Sequence, residues 1–175
     1  MPRWVILFRG INVGGHRKVA MAELRAQMGA AGFADVRSYI QSGNVVADFD
    51  GDRAQVSACI RDIVARAFGF DADLLVLSPD DLNDALAGNP FATVADDPSR
   101  MHLFFHMNPA EPTAIADLTA DDAARAGEGA LAHYLWTPEG MSKSTLADKV
   151  SRRLAGKATA RNLRTCEKLV QMAQS

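Results

Sequence analysis

Two helical stripes in the first half of the chain each stop at a glycine followed by a phenylalanine, and a hairpin lies between them. Met21, Leu24, Met28 and Ala31 recur at helical spacing before Gly32-Phe33. Val56, Ile60, Ile63, Val64 and Ala67 do the same before Gly69-Phe70. A glycine just past a helix takes up the left-handed backbone that closes it, and the apolar residue behind packs back on the last turn. Both helices therefore have marked ends, over 21–31 and 53–68. The apolar runs around them are too short for helices. They read as strands at Arg3–Phe8, Val36–Ile40, Asn44–Phe49 and Leu74–Leu77, with Ser42-Gly43 turning the middle pair into a hairpin. The order βαββαβ is the split-βαβ, or ferredoxin-like, plan.

The pattern then restarts. Ser78-Pro79-Asp80-Asp81 opens a short helix that closes near Gly88-Asn89-Pro90-Phe91. Arg100–Met107 reads as a strand, and Asn108-Pro109 as the cap of a helix carrying Ile115 and Leu118. A turn at Glu128-Gly129 leads to a strand at Leu131–Trp136. Ser142 is placed to cap a helix running to Leu154. A short edge strand over Lys157–Ala160 and a closing helix over Asn162–Ala173 complete the chain. The expected fold class is α+β: two ferredoxin-like halves packed together, antiparallel sheets with helices on one face, and an extra C-terminal helix. The expected boundaries are 1–78 for the first half, 79–99 for a helix and connection, and 100–175 for the second half.

The segment after the first strand, RGINVGGHRK, carries more chemistry than a connection needs. Its three glycines allow inward-turned N–H groups, and the following helix points its positive end the same way. Arg9, Arg17 and Lys18 add charge. The spacing is neither the dinucleotide fingerprint nor the P-loop. In a split βαβ the first two strands run parallel, so this loop shares an end of the sheet with the Gln41-Ser42-Gly43-Asn44 turn. The candidate ligand-binding residues on that rim are Arg9, Asn12, Gly14, Gly15, His16, Lys18, Gln41, Ser42 and Asn44. By the same topology the loop holding Lys143 shares an end with Arg161 and Asn162, which join the candidate set.

The stretches RGINVGGHRKVAMAELRAQM, GFADVRSYIQSGNVV, GNPF, SKS and TARNLRTCEKLVQMA resemble the bacterial family catalogued as domain of unknown function 1697. The resemblance runs over nearly the whole chain. It implies an α+β fold of two ferredoxin-like halves and carries over no established activity or catalytic residues. Where the family often has an aromatic residue after Arg161-Asn162, this chain has Leu163.

Charge is uneven along the 175 residues. Residues 1–37 carry +4, residues 142–175 carry +6, and residues 38–141 carry −12, which leaves −2 in total. Basic ends around an acidic middle favour an anionic partner near the termini. Cys59 and Cys166 read as reduced, buried thiols. His102 and His106 fall on a strand, about 13 Å apart at ~3.3 Å per residue, so no metal site is expected. Neither is a cofactor. Met141-Ser142-Lys143-Ser144 echoes a nucleotide-binding signature without the domain that goes with it. No apolar run approaches the ~20 residues of a membrane helix, and a cytoplasmic protein is expected. The favoured function is binding of a phosphate- or carboxylate-bearing ligand, a nucleotide or nucleic-acid backbone included, at the rim. The alternatives are a small-molecule enzyme using the same rim, with His16 or Lys18 carrying protons, and a protein-interaction module. A monomer or homodimer is expected.

Overall fold

The structure is a computed structural model that describes residues 1–175. It divides into two compact units, 1–82 together with 169–175, and 83–168.

The first unit holds β1 (Arg3–Arg9), α1 (Met21–Ala30), β2 (Ala34–Tyr39), β3 (Asn44–Asp48), α2 (Arg53–Phe68) and β4 (Asp73–Leu77). Its sheet has the order β2-β3-β1-β4 and is antiparallel throughout. β1 is central, and Ile6, Phe8, Val45, Ala47, Leu74 and Val76 meet Leu24 and Met28 of α1 and Val56, Ile60 and Val64 of α2. Each such fully buried side chain contributes roughly 1.5–3 kcal/mol of transfer free energy. Both helix stops appear as read from the sequence. Gly32 has φ +96°, with Gly32 N–H bonded to Gly29 O and Phe33 N–H to Met28 O, the paired bonds of a Schellman end. Gly69 has φ +79° and closes α2, whose start is held by the reciprocal Asp52–Gln55 capping box.

The last turns of the chain belong to this unit through two arginines. Arg3 grips Asp48 at 2.7 and 2.9 Å and donates to Ala173 O, and Arg37 donates to Met172 O at 2.6 Å and Ser175 Oγ at 2.7 Å. Cations at terminal carbonyls complement the negative end of a helix.

The second unit holds most of α3 (Pro79–Ala87), then β5 (Met101–His106), β6 (Arg125–Gly127), β7 (Ala132–Trp136), a 3-10 turn (Met141–Lys143), α4 (Thr145–Arg153), β8 (Ala158–Asn162) and the start of α5 (Leu163–Gln174). Its sheet order, β6-β7-β5-β8, repeats that of the first unit. The strand plan is thus ferredoxin-like twice. Phe104 and Leu135 pack on Leu146, Ala147, Val150 and Leu154.

Three local readings are corrected. The helix expected from Asn108-Pro109 through Leu118 does not form. Pro109 and Pro112 remove backbone donors, and the carboxylate of Glu128 takes the N–H groups of Ile115 and Ala116 at 2.6 and 2.9 Å. Residues 107–124 run as an irregular strap, although Ile115 is still buried at its centre. The cap of α4 is Ser144, two residues after Ser142, because Gly140 at φ +97° first starts a 3-10 turn. The edge strand runs over Ala158–Asn162, where β5 supplies ladder partners from His102 to His106.

Gly43, in the turn before β3, has φ +85°, and a Cβ there would lie 2.6 Å from Phe8 Cβ and 2.7 Å from Ile11 Cδ1. Gly43→Ala is expected to destabilise the protein by about 2–4 kcal/mol through backbone strain plus overpacking, read as a lower urea midpoint at unchanged m-value.

Candidate functional site

β1 and β2 both run antiparallel to β3, hence parallel to each other, so the loop after β1 and the turn after β2 meet at one end of the sheet. The juncture is bonded. Phe8 N–H donates to Gly43 O at 2.8 Å, and Asn12 Nδ2 donates to Gln41 O at 2.8 Å.

The loop is a small hairpin. Gly14 and Gly15, at φ +59° and +78°, form the centre of a tight turn in which His16 N–H donates to Val13 O, and Asn12 N–H then donates to Arg17 O. Consecutive left-handed residues define the I′ turn suited to a two-residue hairpin. The glycines are therefore needed for the turn itself, and two N–H groups expected to face a ligand are used within the loop. Ile11 is buried on the Gly43 turn, while Val13 at the tip is 66% exposed.

Asn12 has a structural duty. At φ +54° its side chain accepts from Val19 N–H at 2.8 Å and donates to Val19 O at 3.0 Å and to Gln41 O. One carboxamide thus ties the exit of the loop to the β2–β3 turn. Asn44 plays a similar part: it is fully buried, and its Nδ2 donates to Tyr39 O and Ser42 Oγ.

The charges sort by which side of β1 they occupy. Arg9 reaches β4, where its Nη2 lies 2.5 Å from Asp73. Arg17 lies 3.7 Å from the same carboxylate and over the Phe70 ring. Asp73 and Phe70, neither of them among the expected site residues, therefore draw two cations toward β4. A carboxylate of one strand opposite an arginine of another cannot be recognised without the register. Lys18 is exposed and lines an open groove of about 470 Å³ with Asn12, Gly15, Val19, Ala20 and Gln41. α1 begins at that groove from Ala20, which provides no side-chain cap. The first-turn N–H groups of such a helix are left to water or a ligand. His16 and Ser42 are exposed nearby in sequence, and Gly14 sits at the hairpin tip.

Lys143, Arg161 and Asn162 belong to the second unit. Lys143 lies in the 3-10 turn, in a groove of about 600 Å³ with Ser142, Ser144, Thr145, Asp148 and Ser151. The nearby N-terminus of α4 already receives a carboxylate, since Asp122 accepts from Leu146 N–H and Ser144 Oγ. Those bonds, that from Leu146 foremost, hold its carboxyl below the usual range. Arg161 is 7% exposed within β8 and donates to Thr159 Oγ1 and Ala160 O. Burial brings its pKa down to about 10, which leaves it charged at neutral pH. Asn162 Oδ1 accepts from Thr165 N–H and caps α5. Cys59 is half-buried and Cys166 buried; both are free thiols pushed up by burial, Cys166 to about 12.

Replacing Asn12 separates scaffold from ligand contact. Asn12→Ala is expected to cost about 2–4 kcal/mol, from three hydrogen bonds of roughly 1 kcal/mol each and a left-handed backbone that alanine resists. Asn12→Gly keeps the backbone freedom and should recover only the smaller part. Thermal denaturation of both variants measures the difference.

No functionally curated protein matches the chain. A conserved bacterial protein from Streptococcus pneumoniae, known from its solved structure, is similar at 28% identity, with a TM-score of 0.78 and 98% of each chain covered. The family model described as protein of unknown function, DUF1697, matches residues 1–131, the whole β1–β3 rim included, and the chain belongs to that family.

Proposed function

We propose that the protein binds a small phosphate- or carboxylate-bearing molecule, nucleotides included, in the groove between the β1–α1 hairpin and the β2–β3 turn. The observation that carries this reading is the meeting of an uncapped helix start with Lys18, Gly15 and Gln41 around one groove. An anion there gains from the α1 dipole, from exposed N–H groups and from one full positive charge. Asn12 serves by holding the two walls together. Arg9, drawn to Asp73, adds to the field at the rim and is not a direct contact.

A single-stranded nucleic acid would need stacking surfaces on the sheet. Val5, Leu7 and Val46 are instead buried aliphatic residues, which favours a small ligand over RNA.

Thermal-shift and calorimetric titration with inorganic phosphate, nucleotides, sugar phosphates and short carboxylates tests the reading. At least one compound is expected to stabilise the protein, and Lys18→Ala should weaken it about tenfold or more, the worth of one charge-assisted hydrogen bond. Lys168→Ala, on α5, serves as the control and should leave affinity unchanged. If no anion stabilises the protein, or if the two lysine variants lose affinity equally, the groove is not the site.

A further inference from the structure

We propose that segment 108–131, irregular apart from the short strand β6, is a pH-responsive strap, held closed by the bonds of His106 and His133 and released when His106, packed against His133, takes up a proton. Its irregular part, up to residue 124, runs between β5 and β6, where a ferredoxin-like unit would have a helix. It lacks a helix's internal bonds, so side chains of its surroundings satisfy its backbone. His133 Nε2 donates to Thr113 O at 2.8 Å, Arg153 donates to Ala114 O at 3.0 Å, and Lys149 donates to Thr119 O at 2.6 Å. Glu128 and Asp122 take N–H groups of the strap or of α4.

The two histidines meet on a single residue. His106 Nε2 donates to Gly129 O at 2.9 Å, and Gly129 N–H donates to His133 Nδ1 at 3.3 Å. Because carbonyls accept at both Nε2 atoms, each ring carries its proton there. Gly129 cannot be replaced easily, as a Cβ would lie 2.5 Å from Ala132 O. Both rings are 2% exposed, and they touch edge to face with centroids 4.3 Å apart.

Charging His133 requires a proton on Nδ1, which would then face the Gly129 N–H. Charging His106 as well would bury two cations in contact. One neighbouring charge opposes this: the Glu128 carboxylate favours charged His106, and its own carboxyl is held low, first by Ile115 N–H and in smaller part by His133. Glu111 and Lys157, of opposite sign, line the cleft of about 320 Å³ beside His106. Asp117 is gripped by both Nη atoms of Arg153 at 3.0 Å. Burial pushes His106 below the ordinary histidine value, against the Gly129 bond that raises it.

The sign follows. The closed strap resists a proton on His106 that the open strap accepts, so closure weakens as pH falls below the ordinary histidine value. Asp117, Asp122 and Glu128 are all held below their usual range, so their contacts persist until pH falls below about 4. A window near pH 5 therefore isolates the histidines. Opening withdraws Ile115 and Leu118 from Phe104, Leu135 and Leu146 and uncovers an apolar face on α4.

Hydrogen exchange by mass spectrometry on the full chain tests this, with rates corrected for their intrinsic pH dependence. Protection of peptides within 113–131 is expected to fall at least tenfold from pH 7 to pH 5, reversibly, while α2 keeps its protection. The His106→Gln/His133→Asn double variant should show the same strap protection at both pH values. Proton NMR of the wild-type imidazoles should give a His106 midpoint below 6.5. Equal strap protection at both pH values, loss spread equally over α2, a wild-type His106 midpoint at or above 6.5, or an undiminished pH response in the double variant would each overturn the proposal.

Discussion

Backbone N–H and C=O groups that leave a sheet or helix still need partners, and the irregular parts of this protein are organised by the side chains that provide them. At the rim of the first unit, one Asn12 carboxamide closes both the loop and the turn beside it. In the second unit, His106, His133, Glu128, Lys149 and Arg153 do for the strap what helical hydrogen bonds would otherwise do. The central strands, β1 and β5, can rest between two neighbours each because these clamps hold the connections that carry the chain from strand to strand.

The same constraint changes the meaning of polar residues at the candidate site. Asn12 and Asn44 have the chemistry of ligand contacts, yet their hydrogen-bonding capacity is directed into the fold. Arg9 and Arg17 lie with Asp73. What faces the groove is shorter: Lys18, the Gly15 backbone, Gln41 and the start of α1. Exposed ion pairs contribute little to stability, so the Arg9–Asp73 pair matters more for where it directs charge than for how firmly it holds the strands.

Much of the first unit was legible because its signals are local. The glycines at 32 and 69 close helices by their own conformation. The shared rim was also legible, since parallel first and second strands force the two connections to one end. The strap was not. Ile115 and Leu118 have helical spacing and are in fact packed in the core, but Pro109 and Pro112 and the reach of Glu128 gave the backbone another set of partners. Ser142 and Ser144 are equally good caps by type, and the choice fell to Gly140 and Asp122.

No membrane-crossing helix is present, and the antiparallel α+β architecture follows from periodicities that are visible in order along the chain. By itself the sequence determined the strands other than β6, the five α-helices, the helix stops and the loop–turn meeting, because propensity, glycine conformation and strand direction act over a few residues. Only the tertiary structure decided that Asn12 is a clamp, that Asp73 draws in Arg9 and Arg17, and that His106 pairs with His133 across strands in place of His102 along its own. Those outcomes depend on sheet register and on which backbone groups lack partners, and neither exists until the strands are placed side by side.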